Sequence, residues 1–201
     1  MLKVGLTGGL ACGKTFVGQA LADLGCHLIE ADQLGHEILL PCGEAYADVV
    51  REFGQAILNA DGTIERKRLA AEVFGKPDRL AALNRLVHPH VFARERKLID
   101  QYAETDPHGI VVVEAAILVE TGNYKNFDRL ILVECDEKLQ IERAIHRDHS
   151  DREEVQSRIR RQMPLAEKRK FAQYVIDTSG SKEETLRRVR EVYDALRSIE
   201  A

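Results

Sequence analysis

The sequence predicts an α/β chain with a mostly parallel sheet of about five strands, covered by helices on both faces. Three observations carry that prediction. Short apolar runs rich in β-branched residues recur at residues 2–6, 27–31, 110–113, 130–133 and 174–176. Helical patterns separate these runs, so successive strands connect by crossovers and pair in parallel. The first run also feeds directly into a glycine-rich turn followed by another apolar, helical stretch.

The first strand, residues 2–6, leads into Gly8-Gly9-Leu10-Ala11-Cys12-Gly13-Lys14-Thr15, which spells G-x-x-x-x-G-K-[ST]. Glycines let backbone N–H groups turn inward around phosphate oxygens, and the helix that follows presents its positive end to the same anion. The expected nucleotide-binding residues are Gly9, Leu10, Ala11, Cys12, Gly13, Lys14, Thr15 and Phe16. Lys14 supplies a point charge for the β- and γ-phosphates, and the Thr15 hydroxyl can ligate Mg²⁺. The fold expected is the three-layer P-loop NTPase type.

The second strand, residues 27–31, continues as Glu30-Ala31-Asp32. Strand alternation puts Glu30 and Asp32 on one side, at the carboxyl end of the sheet where ligands of α/β folds bind. A carboxylate there orients an attacking hydroxyl and takes its proton. The competing reading makes Asp32 the cap of a helix over 33–40, and both roles can coexist. The gap to the third strand is abnormally long. It holds helical patterns at 34–40, 46–53, 66–74 and 79–102 and a turn at 59–63, and it reads as an inserted helical, acceptor-binding part spanning 33–108. His88-Pro89 is expected to end a helical pattern there, because the residue before proline is pushed out of the α region. A lone histidine in that place reads as structural.

Glu114 closes the third strand in the Walker-B position, which holds Mg²⁺ directly or through water. Glu120, six residues on, is a weaker candidate, and a helix-N-terminal acid is the alternative for both. After the fourth strand, Arg143 and Arg147 share one helical face. Arg152, Arg158, Arg160, Arg161, Lys168, Arg169 and Lys170 follow, with Pro164 as a break. Either this is a solvated helical hairpin, or residues 143–170 are a lid that brings Arg143 and Arg147 onto the transferring phosphoryl group. Position favours the lid for those two arginines, and most of the remaining charges read as solvated. The last helix, residues 182–199, places Leu186, Val189, Tyr193 and Leu196 on one face, expected to pack on the sheet.

Bulk properties narrow the function classes. The chain has 201 residues, 44% hydrophobic and 31% charged, with a net charge of −4. That balance argues against nucleic acid or an acidic membrane as partner. No apolar run approaches the ~18 residues of a membrane span, and the chain enters a strand at once rather than a leader peptide. Cys12, Cys26, Cys42 and Cys135 have no metal-site spacing and read as reduced cytosolic thiols. Cys12 lies inside the phosphate loop, where it is either oxidation-sensitive or, the favoured reading, a small residue that fits.

Taken together these segments resemble the dephospho-CoA kinase family over residues 4–180. The matching pieces are Gly5-Leu6-Thr7-Gly8-Gly9 with Gly13-Lys14-Thr15, Ile29-Glu30-Ala31-Asp32, Leu86-Val87-His88-Pro89, Ile117-Leu118-Val119-Glu120, Arg143 with Arg147, Arg158 with Gln162, and Val175-Ile176-Asp177. The resemblance implies ATP-dependent phosphorylation of the ribose 3′-hydroxyl of dephospho-CoA, with Mg²⁺, in a cytoplasmic monomer or small homo-oligomer. It implies Asp32, Lys14, Arg143 and Arg147 as catalytic, Thr15 and Glu114 as metal-binding, and Asp32, His88, Leu118 and Glu120 as substrate-binding. Departures from the family pattern are Ala11 for glycine, Glu30 for aspartate, Ala116 for a proline, which loosens the turn there, and Thr178 where asparagine is common near adenine. The alternative function is another P-loop small-molecule kinase of shikimate, gluconate or nucleoside monophosphate type, against which the long insert argues. A GTPase is disfavoured because no N-K-x-D guanine reader exists in the chain.

Overall fold

The computed structural model describes residues 1–199 and the backbone of Glu200. Among these residues one sheet of five strands runs β2-β3-β1-β4-β5, every pair parallel. The strands are β1 (Leu2–Gly8), β2 (His27–Glu30), β3 (Ile110–Glu114), β4 (Arg129–Glu134) and β5 (Tyr174–Asp177). The central strand β1 and its neighbour β3 are apolar on both faces, as a sheet covered on both sides requires. Register brings Glu30 and Leu6 level with Glu114, and Gly8 level with Val133. The loops after these strands therefore open along one edge.

The chain divides into two compact units, one of residues 1–30 with residues 100 onward, the other of residues 31–99. In the first, helix α1 (Lys14–Asp23) packs on β2, β3 and the last helix, α9 (Lys182–Glu200). The core gathers Val4, Leu6, Val17, Leu21, Val112, Ile131, Val133 and Ile176 under Val189, Val192 and Leu196. The expected inward face of the last helix is corrected here. Leu186 is 45% exposed, while Thr185, Val189, Val192 and Leu196 turn inward. Those four follow the 4-3-4 spacing of a single stripe, and Leu186 stands about 100° away from it.

The second unit holds α2 (Ala31–Glu37), α3 (Tyr46–Phe53), a short 3₁₀ turn (Gln55–Ile57), α4 (Arg66–Val73) and most of α5 (Pro77–Thr105). The turn at 59–63 forms because the Asp61 carboxylate accepts from the Thr63 N–H at 2.9 Å and Gly62 takes φ 82. Pro89 lies inside α5 and does not end it, contrary to the sequence expectation. The missing N–H and ring clash cost about 3 kcal/mol, which burial of Ala82 and Val91 on either side offsets. Two arginines of α5 also hold it in place. Arg94 binds Glu44 at 2.9 Å and Glu37 at 3.0 Å, and Arg79 lies 4.4 Å over the Phe53 ring.

Candidate active site

The phosphate loop starts where β1 meets β4. A side-chain carbon at Gly8 would stand 2.3 Å from the Val133 carbonyl oxygen, so only glycine fits there. The chain then turns, with the Cys12 N–H donating to Gly9 O at 3.4 Å, and enters α1 at Lys14. Ala11 and Gly13 both take left-handed backbone, at φ 55 and φ 80. Alternating handedness turns successive N–H groups into one concavity, and the first turn of a helix adds more. The extra methyl of Ala11 thus sits on strained backbone, at a cost of roughly 1–2 kcal/mol.

Lys14 folds over the loop with Nζ 3.3 Å from Gly9 O. The Thr15 hydroxyl donates to Glu114 Oε1 at 3.0 Å, and Glu114 is buried at the end of β3. Gly18, one turn along α1, makes space for this carboxylate: a side-chain carbon there would lie 3.2 Å from Glu114 Oε2. A hydroxyl and a carboxylate beside an anion-binding loop form a hard oxygen donor set suited to Mg²⁺. Phe16 closes the first turn, 36% exposed, with Lys182 Nζ 5.9 Å above its ring.

Sequence reasoning missed what fastens the loop. Buried Thr178, just after β5, donates its hydroxyl to Cys12 O at 2.9 Å. The same residue accepts two bonds from Arg143, at Oγ1 (3.1 Å) and at its carbonyl oxygen (2.8 Å). Arg143, on helix α6 (Glu137–Asp148), is therefore tied to the phosphate loop through one threonine. Its partner Arg147 instead grips Asp148 at 2.7 and 3.0 Å. Arg158 of α7 (Arg152–Arg161) binds the same carboxylate at 2.6 Å. Arg147, then Arg158, hold the Asp148 carboxyl at a pKa of about 2. At the end of α7, Gln162 Oε1 accepts the Leu10 N–H at 2.9 Å, which ties this helix to the loop.

Lys168 corrects the reading of the charged stretch as solvated. It lies on α8 (Leu165–Arg169) and is 0% exposed. Its ammonium donates to Ala116 O at 2.7 Å and Gly8 O at 3.4 Å and pairs with Glu120 Oε1 at 2.8 Å. Thr7 Oγ1 also donates to Ala116 O, at 3.2 Å, so the turn that lacks the family's proline is pinned from two sides. Glu120 further accepts the Met163 N–H at 3.1 Å, so its carboxylate is engaged in holding the chain before α8. Leu118 is 2% exposed and packs beside Gly5, where its side chain serves the core.

Two expected site residues belong to the second unit. The strand alternation invoked for Asp32 is corrected: β2 ends at Glu30 and α2 begins at Ala31, so Asp32 stands exposed in the first turn of that helix. A helical residue there favours the positive end of the helix dipole, and it is inside the helix rather than its cap. His88, half-buried on α5, tilts against Phe92 with ring centroids 5.8 Å apart, and burial lowers its pKa.

Comparison with known proteins agrees with this geometry. The sequence model of the family described as dephospho-CoA kinase matches residues 2–184. A dephospho-CoA kinase of Aquifex aeolicus (strain VF5) is 40% identical over 196 residues, 98% of each chain. The crystal structure of TT1252 from Thermus thermophilus superposes with a TM-score of 0.83 at 30% identity, covering 96% of both chains. A dephospho-CoA kinase from Campylobacter jejuni, 23% identical over 96% of both chains with a TM-score of 0.62, shares the fold.

Proposed function

This chain belongs to the dephospho-CoA kinase family, and on that premise we propose how its own residues carry out the transfer. The reaction is phosphorylation of dephospho-CoA by ATP, and the position phosphorylated is the ribose 3′-hydroxyl. In-line phosphoryl transfer is mostly positioning and charge stabilisation. Backbone N–H groups of residues 9–15 hold the β-phosphate, and Lys14 bridges β and γ. Thr15 and Glu114 would hold Mg²⁺, which when bound would neutralise charge on the phosphate oxygens. Arg143 and Arg147 stabilise the γ-phosphoryl group as residues 143–170 close over it; Arg147 must leave Asp148 to do so. Residues 33–108 bind the acceptor, His88 and Glu120 contribute to its binding, and Asp32 orients the hydroxyl and takes its proton. Four free cysteines support a reducing, cytoplasmic setting.

The observation that carries this reading is the Thr15–Glu114 hydrogen bond of 3.0 Å at the root of a complete phosphate loop. The test is Asp32→Asn. Loss of a general base lowers turnover by about 10²-fold or more while ATP affinity stays near that of the unaltered chain. Turnover within threefold of the unaltered enzyme removes Asp32 from the mechanism.

A further inference from the structure

The phosphate loop carries a sulfur with a second sulfur beside it. Cys12 lies in the loop and Cys135 just after β4, 123 residues apart in sequence, and their Sγ atoms are 3.5 Å apart in buried surroundings. Neither belongs to the transfer chemistry as a reacting group. A cavity of about 410 Å³ opens on Cys135, lined also by Gly9, Gln140, Arg160, Gln162 and Pro164 among others. Gly9 lets the loop pass close to the inner sulfur: a carbon added there would stand 2.9 Å from Cys12 Sγ and 3.0 Å from Gln140 Oε1. A small oxidant in the cavity thus meets Cys135 directly, with the wholly buried Cys12 Sγ 3.5 Å behind it.

We propose that Cys12 and Cys135 are a peroxide-sensitive dithiol whose disulfide shuts down ATP binding at the phosphate loop. The Cys135 sulfur, which lines the cavity, attacks one oxygen of hydrogen peroxide; the O–O bond breaks, leaving a sulfenic acid on Cys135 and, after protonation, one water. The Cys12 sulfur, 3.5 Å away, then displaces the hydroxyl from Cys135 Sγ, the S–S bond forms, and a second water leaves. Two thiols are oxidised and one peroxide is reduced to two waters. Access assigns the first attack to Cys135, whose thiol pKa is raised, and Cys12, whose thiol pKa is lowered chiefly by the hydrogen bond from Cys135 with Lys14 adding to the effect, suits the resolving role.

Geometry makes the bond a switch. The sulfurs must close from 3.5 Å to about 2.05 Å, a movement of about 1.5 Å taken up partly by the loop. Cys12 is in the strained segment next to Ala11, and its carbonyl carries the bond from Thr178 that orders the loop. Displacements of about 1 Å in positioning groups cost on the order of 10²-fold in rate.

The test uses the full chain and its Cys135→Ser variant, treated with hydrogen peroxide, cleared of it, and reversed with dithiothreitol. Peptide mapping without reductant should find Cys12 linked to Cys135, with Cys26 and Cys42 free. ATP affinity, measured without acceptor because that acceptor carries its own thiol, should fall at least about tenfold in the oxidised chain and return on reduction. Cys135→Ser should keep its affinity throughout. Absence of the linked peptide in the unaltered chain, or unchanged ATP affinity in the linked protein, overturns the proposal. Equal loss in Cys135→Ser overturns it too; should that variant not fold, the first two readings decide alone. Neither involves phosphoryl transfer, so they are independent of the mechanism proposed above.

Discussion

Replacing Lys168 with methionine tests whether a buried ammonium ties the phosphate loop to the segment before α8. Methionine keeps the length and most of the volume, so the change removes charge and donors with little cavity. Three acceptors lose their donor: Glu120 Oε1 at 2.8 Å, Ala116 O at 2.7 Å and Gly8 O at 3.4 Å. Removing one member of a buried ion pair costs about 3–5 kcal/mol. Two features lower that figure. Ala116 O keeps its bond from Thr7, and Glu120, 21% exposed at its side chain, can recruit water while holding the Met163 N–H. The expected loss is about 3 kcal/mol, which for a chain of this length lowers Tm by roughly 6–12 °C. Thermal and urea unfolding of Lys168→Met, Glu120→Gln and the double variant supply the assay. The pair is real if the double variant recovers about 1–2 kcal/mol of the summed single losses. A Tm change under about 2 °C in Lys168→Met, or strict additivity, refutes the reasoning.

Ala11→Gly relieves left-handed strain of roughly 1–2 kcal/mol and adds unfolded-state entropy of roughly 0.4–1 kcal/mol. The net gain of about 0.5–1 kcal/mol should raise Tm, and a lower Tm contradicts the strain at φ 55. Burial keeps the His88 ring neutral, with its pKa lowered in the folded chain. The stability this contributes is complete above the unfolded value of about 6.5 and declines as pH falls below it toward the folded value. Urea midpoints at pH 7.5 and 5.5 should therefore differ more for the unaltered chain than for His88→Asn, and equal differences refute the burial argument.

What the sequence revealed was local in character. The phosphate loop and its strand–turn–helix setting are contiguous, and the five strands are apolar runs bounded by polar turns, so their number and positions to within two residues follow from pattern. Glu114 as the partner of Thr15 was legible because a strand that ends on an acid beside the central strand has few other places to put it. Contacts that depend on distant residues were not legible. Thr178 reaches Cys12 from 166 residues away, and no local rule marks a threonine for that task. Lys168 sits among arginines and lysines that are exposed, and only the meeting of three backbone segments tells it apart. Leu186 departs from the expected stripe because Thr185, with a small side chain whose hydroxyl donates to the Ser181 carbonyl at 3.1 Å, is the buried residue of that turn. Pro89 misled for a related reason: its intrinsic penalty is fixed, but a 29-residue helix with buried neighbours can absorb it.

The proposed reaction delivers the ATP γ-phosphoryl group from this loop to the 3′-hydroxyl of dephospho-CoA. The direct measurement is to incubate the protein with Mg-ATP and, separately, dephospho-CoA, shikimate, gluconate and nucleoside monophosphates, following ADP release and locating the new phosphate by ³¹P NMR. The expected result is ADP release stimulated by dephospho-CoA alone, with one new phosphomonoester on the ribose 3′-oxygen. No stimulation by dephospho-CoA, or phosphate appearing on another oxygen, would contradict it.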